Sequence, residues 1–321
     1  MNLLFFQVGY LPIIDSSPTE MSTIMAILQR SIRIADELEL GHVVISFDQA
    51  IYSKTQTIRF QNPVFKERLI LRLGEFHTSM AFMAVIGRRF ENSGLQELIV
   101  DSGVIAAGSV AGVLSGTFYN RSARCYKLLA EALCRLMWED FIASIEYGDL
   151  QQKALQFAID LNDSFPQRFE ELACSEEGKN FARMFQNYRR KKEQENPNYC
   201  LWSSLLDMIE TLLLFIRGTR EGNFDLHLAA VRLMLPWFFA YDRQNYARYL
   251  SIYYSEMMQL KVTHPAVYTE FCKGQFVVQR HAEKPFSGSA CDLVIEQTVN
   301  REAKSGMTQC KLFYIYLFID T

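Results

Sequence analysis

Two short apolar runs organise the first third of the chain. The first, Val43-Val-Ile-Ser-Phe47, is rich in β-branched residues and ends at Asp48; the second is Leu69-Ile-Leu-Arg-Leu73. Continuous runs of this length predict buried strands. Around them, apolar residues recur at helical spacing between positions 24 and 38 and between positions 80 and 90. This alternation of helix and strand predicts an α/β fold with a mostly parallel sheet.

From about Tyr119 onward the apolar positions follow a helical period alone. Pro236-Trp237 predicts the end of one helix, and Asp242 is the predicted N-cap of the next. Alternation returns with a predicted strand at Phe276-Val-Val-Gln279 and a predicted helix over positions 292–301. Near the start of the chain, Gly41 is predicted to close the first helix.

These patterns predict a protein that is mostly helical overall, with an α/β core interrupted by a large all-helical insertion. We place the α/β part at residues 1–115, the insertion at 116–272, the return to the core at 273–304, and an atypical tail at 305–321. In such an arrangement an acidic residue on an early strand and one on a late helix can meet while the insertion loops out.

Composition narrows the class of protein. The chain has 321 residues, 49% of them hydrophobic and 21% charged, which is typical of a globular protein of about two domains. A net charge of −3 gives no global basic surface, so contact with DNA would need a local patch. Seven cysteines without a C-x-x-C pair indicate reduced thiols in the nucleus or cytoplasm. The sequence shows neither signal-peptide features nor an apolar run near the roughly 20 residues that span a bilayer, so we expect no membrane contact.

Two carboxylates stand out as candidates for chemistry. Asp48 follows a predicted strand, where ligands of α/β sheets gather, and Glu296 lies beside the apolar stripe of the last predicted helix. Carboxylates on rigid elements are what a two-magnesium nuclease or strand-transfer site needs. The structural alternatives stay open: Asp48 as the N-cap of the next helix, Glu296 on a solvated helix face, and His77 as a capping or packing residue.

Other constellations are weaker. His264, Cys272, His281 and Cys291 are spaced too widely for a typical structural zinc site. Glycine-rich phosphate loops and the G-x-S-x-G elbow are missing from the sequence, so we expect no small-molecule cofactor. The basic run over positions 189–192 is typical of a solvated face. The aromatic and basic residues over positions 241–249 only superficially resemble a base-stacking platform, since tyrosines at helical spacing are more often core.

Several longer runs carry a family resemblance. They are Phe47-Asp-Gln-Ala-Ile-Tyr, Arg72-Leu-Gly-Glu-Phe-His-Thr, Tyr119-Asn-Arg-Ser, Leu226-His-Leu-Ala-Ala, Pro236-Trp-Phe-Phe-Ala-Tyr-Asp-Arg-Gln-Asn-Tyr-Ala-Arg-Tyr-Leu and Ile295-Glu-Gln-Thr-Val-Asn-Arg. Together they resemble a domain family of unknown function from invertebrate, transposon-rich genomes. The resemblance covers nearly the whole chain from about Gly9 to Lys304, and the tail after Lys304 departs from it.

A second resemblance concerns mechanism. Transposases with a ribonuclease-H-like core and an α-helical insertion show a strand ending in Asp, a strand closing on a C/D-x-x-H pattern, and a late helix with the last Glu. Asp48, the segment Gly74-Glu-Phe-His77 and Glu296 follow that order. The resemblance implies Asp48 as second carboxylate, His77 as an orienting residue, Glu296 as third carboxylate, and Mg²⁺ held by Asp48 and Glu296.

Two departures qualify what this resemblance implies. Position 74 is Gly where the pattern has Cys or Asp, and no residue before Asp48 suits the first catalytic aspartate. We therefore expect a transposase-derived protein with DNA as ancestral partner, inactive or nearly so in this chain because a two-metal clamp loses its geometry without one of its carboxylates. The alternative is a non-catalytic helical scaffold that binds protein partners.

Overall fold

The two predicted strands form and pair in parallel. Val43–Phe47 (β1) and Leu69–Leu73 (β2) align with Val43 opposite Leu69 and Phe47 opposite Leu73. Both strands are almost entirely buried, as their unbroken apolar sequences predict. The computed structural model describes residues 16–17, 19–145, 148–163, 168–281, 284 and 286–297.

Helices make up most of the described chain. Before and between the strands lie α1 (Met21–Glu37), α2 (Gln49–Gln61) and α3 (Pro63–Arg68). After β2 come α4 (Glu75–Arg89), α5 (Leu95–Asp101), a 3-10 turn (Ala107–Ser109), α6 (Val110–Leu114), α7 (Tyr119–Ser144), α8 (Asp149–Asp163), α9 (Phe169–Ala173), α10 (Glu176–Glu195), α11 (Pro197–Glu221), α12 (Phe224–Ala240), α13 (Gln244–Thr263) and α14 (Pro265–Cys272). The described part ends with β3 (Val278–Gln279), β4 (Gly288–Ser289) and α15 (Cys291–Gln297).

The sheet is smaller than the sequence pattern predicts. Within the described residues, β1 pairs only with β2, while β3 and β4 form a separate two-stranded antiparallel ladder. The prediction of a mostly helical protein with a parallel strand pair is confirmed. A larger sheet of ribonuclease-H type is not confirmed in this part of the chain.

The chain divides into two compact units. Within the described residues, the first lies between positions 16–96, 107–119 and 211–297, and the second between positions 97–106 and 120–210. The first unit therefore holds the sheet together with α12, α13, α14 and α15. The segment bounds predicted from sequence, with an insertion over 116–272, remain a prediction.

The second unit has an aromatic core of its own. Phe141, Ile142, Ala154, Phe157 and Phe181 are buried together, and Trp138, Phe185 and Tyr188 pack against them. These residues come from α7, α8 and α10, whose apolar stripes meet in one cluster. A self-contained core of this kind is what the helical pattern over this region predicts.

Three predicted helix boundaries are wrong. The helix expected to stop at Pro236 runs on to Ala240 with the proline inside it, and Arg243, not Asp242, is the N-cap of α13. Asp242 instead takes a left-handed φ of 54°. The first helix ends at Glu37, and the left-handed residue beyond it is Glu39 rather than Gly41.

The strand and the helix predicted after position 275 are both shorter in the described residues. The strand predicted at positions 276–279 is reduced to the two residues of β3, and the last predicted helix is seen as α15, with positions 298–301 outside the described residues. One helix of the described part, α11, is long and apolar enough to cross a membrane by length and composition. Buried core helices pass the same test, and Leu205, Leu206 and Ile209 of α11 are buried.

Candidate functional site: a carboxylate edge beside two parallel strands

The two parallel strands end side by side. The pairing of β1 with β2 ends at Phe47 and Leu73. The amide of Gly74 then donates one further hydrogen bond between the two segments, to the carbonyl of Phe47 at 2.8 Å. Asp48 and Gly74 are thus the first residues past the carboxyl ends of β1 and β2. This edge is where α/β sheets usually bind ligands.

Asp48 caps the helix that follows it. Its Oδ1 accepts a hydrogen bond from the amide of Ile51 at 2.9 Å, and its backbone is extended as an N-cap requires. The structural alternative for Asp48 is therefore confirmed. The cap occupies Oδ1 and leaves Asp48 half-buried at the edge.

Asp292 on α15 binds the first turn of α4. Its Oδ1 accepts from the amide of Phe76 and its Oδ2 from the amide of His77, each at 3.1 Å. The same Oδ2 lies 3.0 Å from Nδ1 of His77. Since a carboxylate only accepts, Nδ1 carries the hydrogen, and the Nε2 of a neutral ring is left as an acceptor. Asp292 thus satisfies the helix N-terminus and orients the imidazole.

The charges around His77 act in opposite directions. Burial lowers the pKa of His77, but the hydrogen bond and the charge of Asp292, with the charges of Asp48 and Glu296, outweigh burial and raise the pKa above its ordinary value. The His77 side chain is 32% exposed. Asp48 and Glu296 are therefore both within electrostatic reach of His77. We call these three residues, together with Asp292, the carboxylate edge.

Gly74 makes room for the carboxylate of Asp292. A Cβ at position 74 would lie 2.3 Å from Oδ2 and 2.7 Å from Cγ of Asp292. A side chain at position 74 and the present position of Asp292 therefore exclude one another. At this position the Asp292 carboxylate from α15 occupies the volume that a side chain would take.

Two tyrosines and two arginines lie around the edge. Burial, followed by the charge of Asp292, raises the pKa values of Tyr119 and Tyr246. The charge of Arg220 lowers the pKa of Tyr119, and the charge of Arg243 lowers the pKa of Tyr246. Both arginines are exposed. The Asp292 carboxylate is therefore accompanied by two exposed cationic side chains, Arg220 and Arg243.

A buried ion pair fixes α4 against β2. Arg72 and Glu75 form a salt bridge with both side chains 2% exposed, and Arg72 also donates to the carbonyl of Phe276. The Arg72 guanidinium lies 5.4 Å from the ring centroid of Phe271 and 5.0 Å from that of Phe276. Because both charges are buried, their pairing ties the start of α4, and with it His77, to the sheet.

The donor set is not arranged for a pair of magnesium ions. Within the described residues, no three His, Cys, Asp or Glu side chains are placed to hold a metal. Both oxygens of Asp292 and one of Asp48 already accept hydrogen bonds from the protein. The predicted two-magnesium clamp of Asp48 and Glu296 therefore does not fit the arrangement of these side chains.

Sequence reasoning missed Asp292, Gly74 and the two tyrosines. The one signal for Asp292 was its place one helical turn before Glu296, on the same polar side of the last predicted helix. Of the residues predicted from sequence, Asp48 and Glu296 both act electrostatically on His77. Their roles in catalysis and metal binding stay predictions.

Comparisons with known proteins identify a family. A family model described as a domain of unknown function, DUF8702, matches residues 5–312. No curated protein matches the chain, and no solved structure does. The family match agrees with the resemblance to a domain of unknown function and carries no statement about transposons or nucleases.

Proposed function

Since the chain belongs to the DUF8702 family, whose function is unknown, we propose a function from the geometry of its own site. The chain is a transposase-derived protein whose ancestral core hydrolysed and joined phosphodiester bonds of DNA. The carboxylate edge is the remnant of that active site. The observation that carries the proposal is that Asp48 and Glu296, far apart in sequence, both act electrostatically on His77 beyond the ends of two parallel strands.

The exchange at position 74 supports this origin. The resemblance calls for an acidic or thiol side chain three residues before His77, and the carboxylate of Asp292 fills that volume instead. A remnant that keeps a carboxylate beside His77 while losing the residue at position 74 is consistent with divergence from such a site.

The residues present support proton transfer more than metal chemistry. Asp292 holds the Nδ1–H of His77, so Nε2 is the atom that takes up or gives a proton. Three carboxylates beside one imidazole repel the phosphate of a nucleic acid unless cations compensate. Because the side chains do not form the metal clamp, we predict that the chain cleaves DNA poorly or not at all.

A nuclease assay tests the predicted inactivity. Supercoiled plasmid and labelled duplex DNA are incubated with the purified chain in Mg²⁺ and, separately, in Mn²⁺. We expect no cleavage above the level of buffer. Metal-dependent cleavage that Asp48→Ala and Glu296→Ala abolish, while Glu37→Ala on the exposed face of α1 does not, would overturn the predicted inactivity and establish the site.

A second measurement tests the ancestry. An acidic edge inherited from a metal site still concentrates divalent cations electrostatically, even without a formed ligand set. Mn²⁺ is titrated while the imidazole signals of the five histidines are followed by NMR. We expect the His77 signals to broaden first, and this order to disappear in Asp48→Asn and Glu296→Gln. Simultaneous broadening of His77 and the exposed His281 contradicts the proposal.

The second candidate function is a non-catalytic helical scaffold. The second unit supports it, because it has its own aromatic core and exposes Leu136 on α7 and Leu155 and Ile159 on α8. Exposed apolar side chains of this kind suit contact with protein partners. This candidate predicts no preference of Mn²⁺ for the carboxylate edge, so the titration separates the two functions.

A further inference from the structure

The outer side of α10 carries cationic and amide side chains. Each residue advances an α-helix by about 100°, so positions three, four or seven apart share one face. In α10 this spacing forms one stripe on the side opposite Phe181, which is buried in the core of the second unit. The stripe, which we call the α10 stripe, comprises the exposed residues Lys179, Arg183, Gln186, Asn187, Arg190 and Gln194. None of its members is a carboxylate.

The run of four basic residues in α10 is divided between the inner and outer sides of the helix. Arg189 donates to a carboxylate oxygen of Asp207 at 2.6 Å, and the ammonium of Lys192 lies 3.3 Å from Asp140. These two cations are therefore bound within the second unit. Arg190, between them in sequence, is exposed and belongs to the α10 stripe.

Two arginines of the stripe carry charge that no carboxylate compensates. Arg183 donates to Oδ1 of Asn180, a neutral acceptor, at 2.9 Å. Neither Arg183 nor Arg190 forms an ion pair with a described residue of the chain. Lys179, by contrast, lies 3.0 Å from a carboxylate oxygen of Glu176. Arg183 and Arg190, about 10 Å apart along the helix axis, are therefore the side chains that attract an anion most strongly.

The opposite side of α10 is fixed in the aromatic core of the second unit. The ring centroid of Phe181 lies 5.2 Å from that of Phe157 on α8. The ring centroid of Phe185 lies 5.5 Å from that of Trp138 and 5.6 Å from that of Phe141, both on α7. Because this packing holds the inner side of α10, the stripe faces solvent before any ligand arrives.

Exposed positions cover about half of the circumference of α10. Ala182 on one flank of the stripe and Lys191 on the other are also exposed, and they lie about 180° apart around the helix axis. With its side chains an α-helix is about 10 to 12 Å across, and the major groove of duplex DNA is about 12 Å wide. The stripe is about 22 Å long from Lys179 to Gln194. A helix exposed in this way has the dimensions to enter a major groove.

Among polyanions, duplex DNA matches the chemistry of the stripe best. Asparagine and glutamine both donate and accept hydrogen bonds, which suits base edges in the major groove. Single strands bind by stacking on aromatic rings, and anionic membranes take up the apolar face of an interfacial helix. The α10 stripe has neither aromatic nor apolar members. The major groove of duplex RNA is too narrow for side chains to read.

We propose that the α10 stripe binds duplex DNA in the major groove. Arg183 and Arg190 bond to phosphate oxygens, while Gln186 and Asn187, which lie between them in the helix, bond to base edges. The inference rests on the proposed function for the choice of DNA and deepens it by placing the DNA contact in the second unit. A chain with a net charge of −3 needs a local cationic face of this kind to hold DNA.

Fluorescence anisotropy with a labelled mixed-sequence duplex of about 20 base pairs, in EDTA and over a series of salt concentrations, tests the proposal. In the double variant Arg183→Gln with Arg190→Gln, we expect the slope of log affinity against log salt to fall by about two, and the affinity at low salt to fall about tenfold. The control with the same loss of charge is Arg33→Gln with Arg248→Gln, at two exposed arginines of the first unit. Equal losses in both double variants, or no binding by the wild type, overturn the proposal.

A substitution of nearly equal shape provides an independent readout. Gln186→Glu places a negative charge on the stripe, so it should weaken DNA binding about tenfold, because a carboxylate repels phosphates and donates no hydrogen bond. Gln152→Glu, at an exposed position of α8 in the same unit, is the matched control and should bind DNA like the wild type. Thermal melting followed by circular dichroism checks that both variants are folded. Equal affinities of the two variants contradict the proposal.

Competition identifies the class of ligand and the groove. Unlabelled duplex DNA should displace the label at about tenfold lower concentration than the single strand, the RNA duplex of the same sequence or polyglutamate. A single strand or an RNA duplex that competes as well as duplex DNA overturns insertion into the major groove. Polyglutamate that competes as well overturns DNA as the ligand.

The EDTA makes this result independent of the metal experiments at the carboxylate edge. Asp48→Asn, which alters that edge, should bind the duplex like the wild type. Absence of DNA binding leaves the order of Mn²⁺ broadening at His77 unaffected, and failure of the Mn²⁺ titration leaves binding of the duplex unaffected. The failure of one proposal is therefore distinguishable from the failure of the other.

Discussion

Asp292 of α15 holds the first turn of α4 through both of its carboxylate oxygens. Its position next to His77 depends on α15 meeting the first turn of α4, a contact between residues 215 positions apart. Asp48, by contrast, could be predicted as both cap and site residue, because both roles follow from its place at the end of a strand. The helix cap at Asp48 could be predicted from neighbouring residues, whereas the contact between Asp292 and His77 could not.

Gly74 gives the first prediction. Gly74→Ala should destabilise the fold by about 1 to 3 kcal/mol, since its Cβ would overlap the carboxylate of Asp292. In urea unfolding, the double variant Gly74→Ala with Asp292→Ala should lose less than the sum of the single variants. Strict additivity would show that the two residues do not compete for one volume.

His77 gives a prediction about pH. Its folded pKa is raised above the ordinary value of 6.5, so protonation stabilises the folded state. This stabilisation is fully present below the unfolded pKa near 6.5 and is lost as the pH rises through the folded pKa. Asp292→Asn should lower the folded pKa and remove most of this dependence.

Urea unfolding at a series of pH values above and below 6.5 measures the effect. The stability difference between the wild type and Asp292→Asn should shrink as the pH rises through that window. A difference that stays constant would contradict the assigned role of Asp292. Asp225→Asn, on the exposed face of α12, is the control.

At the scale of elements, the strands and most helices followed their hydrophobic period. The helix boundaries differ from the predicted ones where a single proline, aspartate or glycine suggested a helix end. Pro236 is tolerated inside α12, although a helix-interior proline removes a backbone hydrogen bond. Asp242 lies one residue before the N-cap, in a left-handed conformation that its short polar side chain tolerates.

At the start of α2, two substitutions of Asp48 distinguish the stabilisation that its hydrogen bond provides from that of its negative charge. Asp48→Ala should cost about 1 kcal/mol in unfolding free energy through loss of the hydrogen bond from Ile51. Asp48→Asn should keep nearly all the stability, because asparagine caps helices as well as aspartate does. Equal destabilisation by both variants would mean that the charge, not the cap, stabilises this end of α2.

For the whole molecule, sequence pattern predicted the class but overestimated the sheet. The parallel strand pair and the predominance of helix could both be predicted from the hydrophobic pattern. The larger ribonuclease-H-type sheet was inferred by resemblance, and the described residues provide two parallel strands, which α2, α13 and α15 flank. Helices can cover a strand pair as fully as further strands do, and hydrophobic period does not distinguish the two.

NMR titration of the His77 imidazole tests most directly whether Asp48 and Glu296 converge on His77 from distant parts of the sequence. In Asp48→Asn and in Glu296→Gln the pKa of His77 should fall below its wild-type value, because each substitution removes a negative charge that raises it. Glu37→Gln, on α1, should leave it unchanged. A His77 pKa that is the same in Glu296→Gln as in the wild type would contradict the convergence.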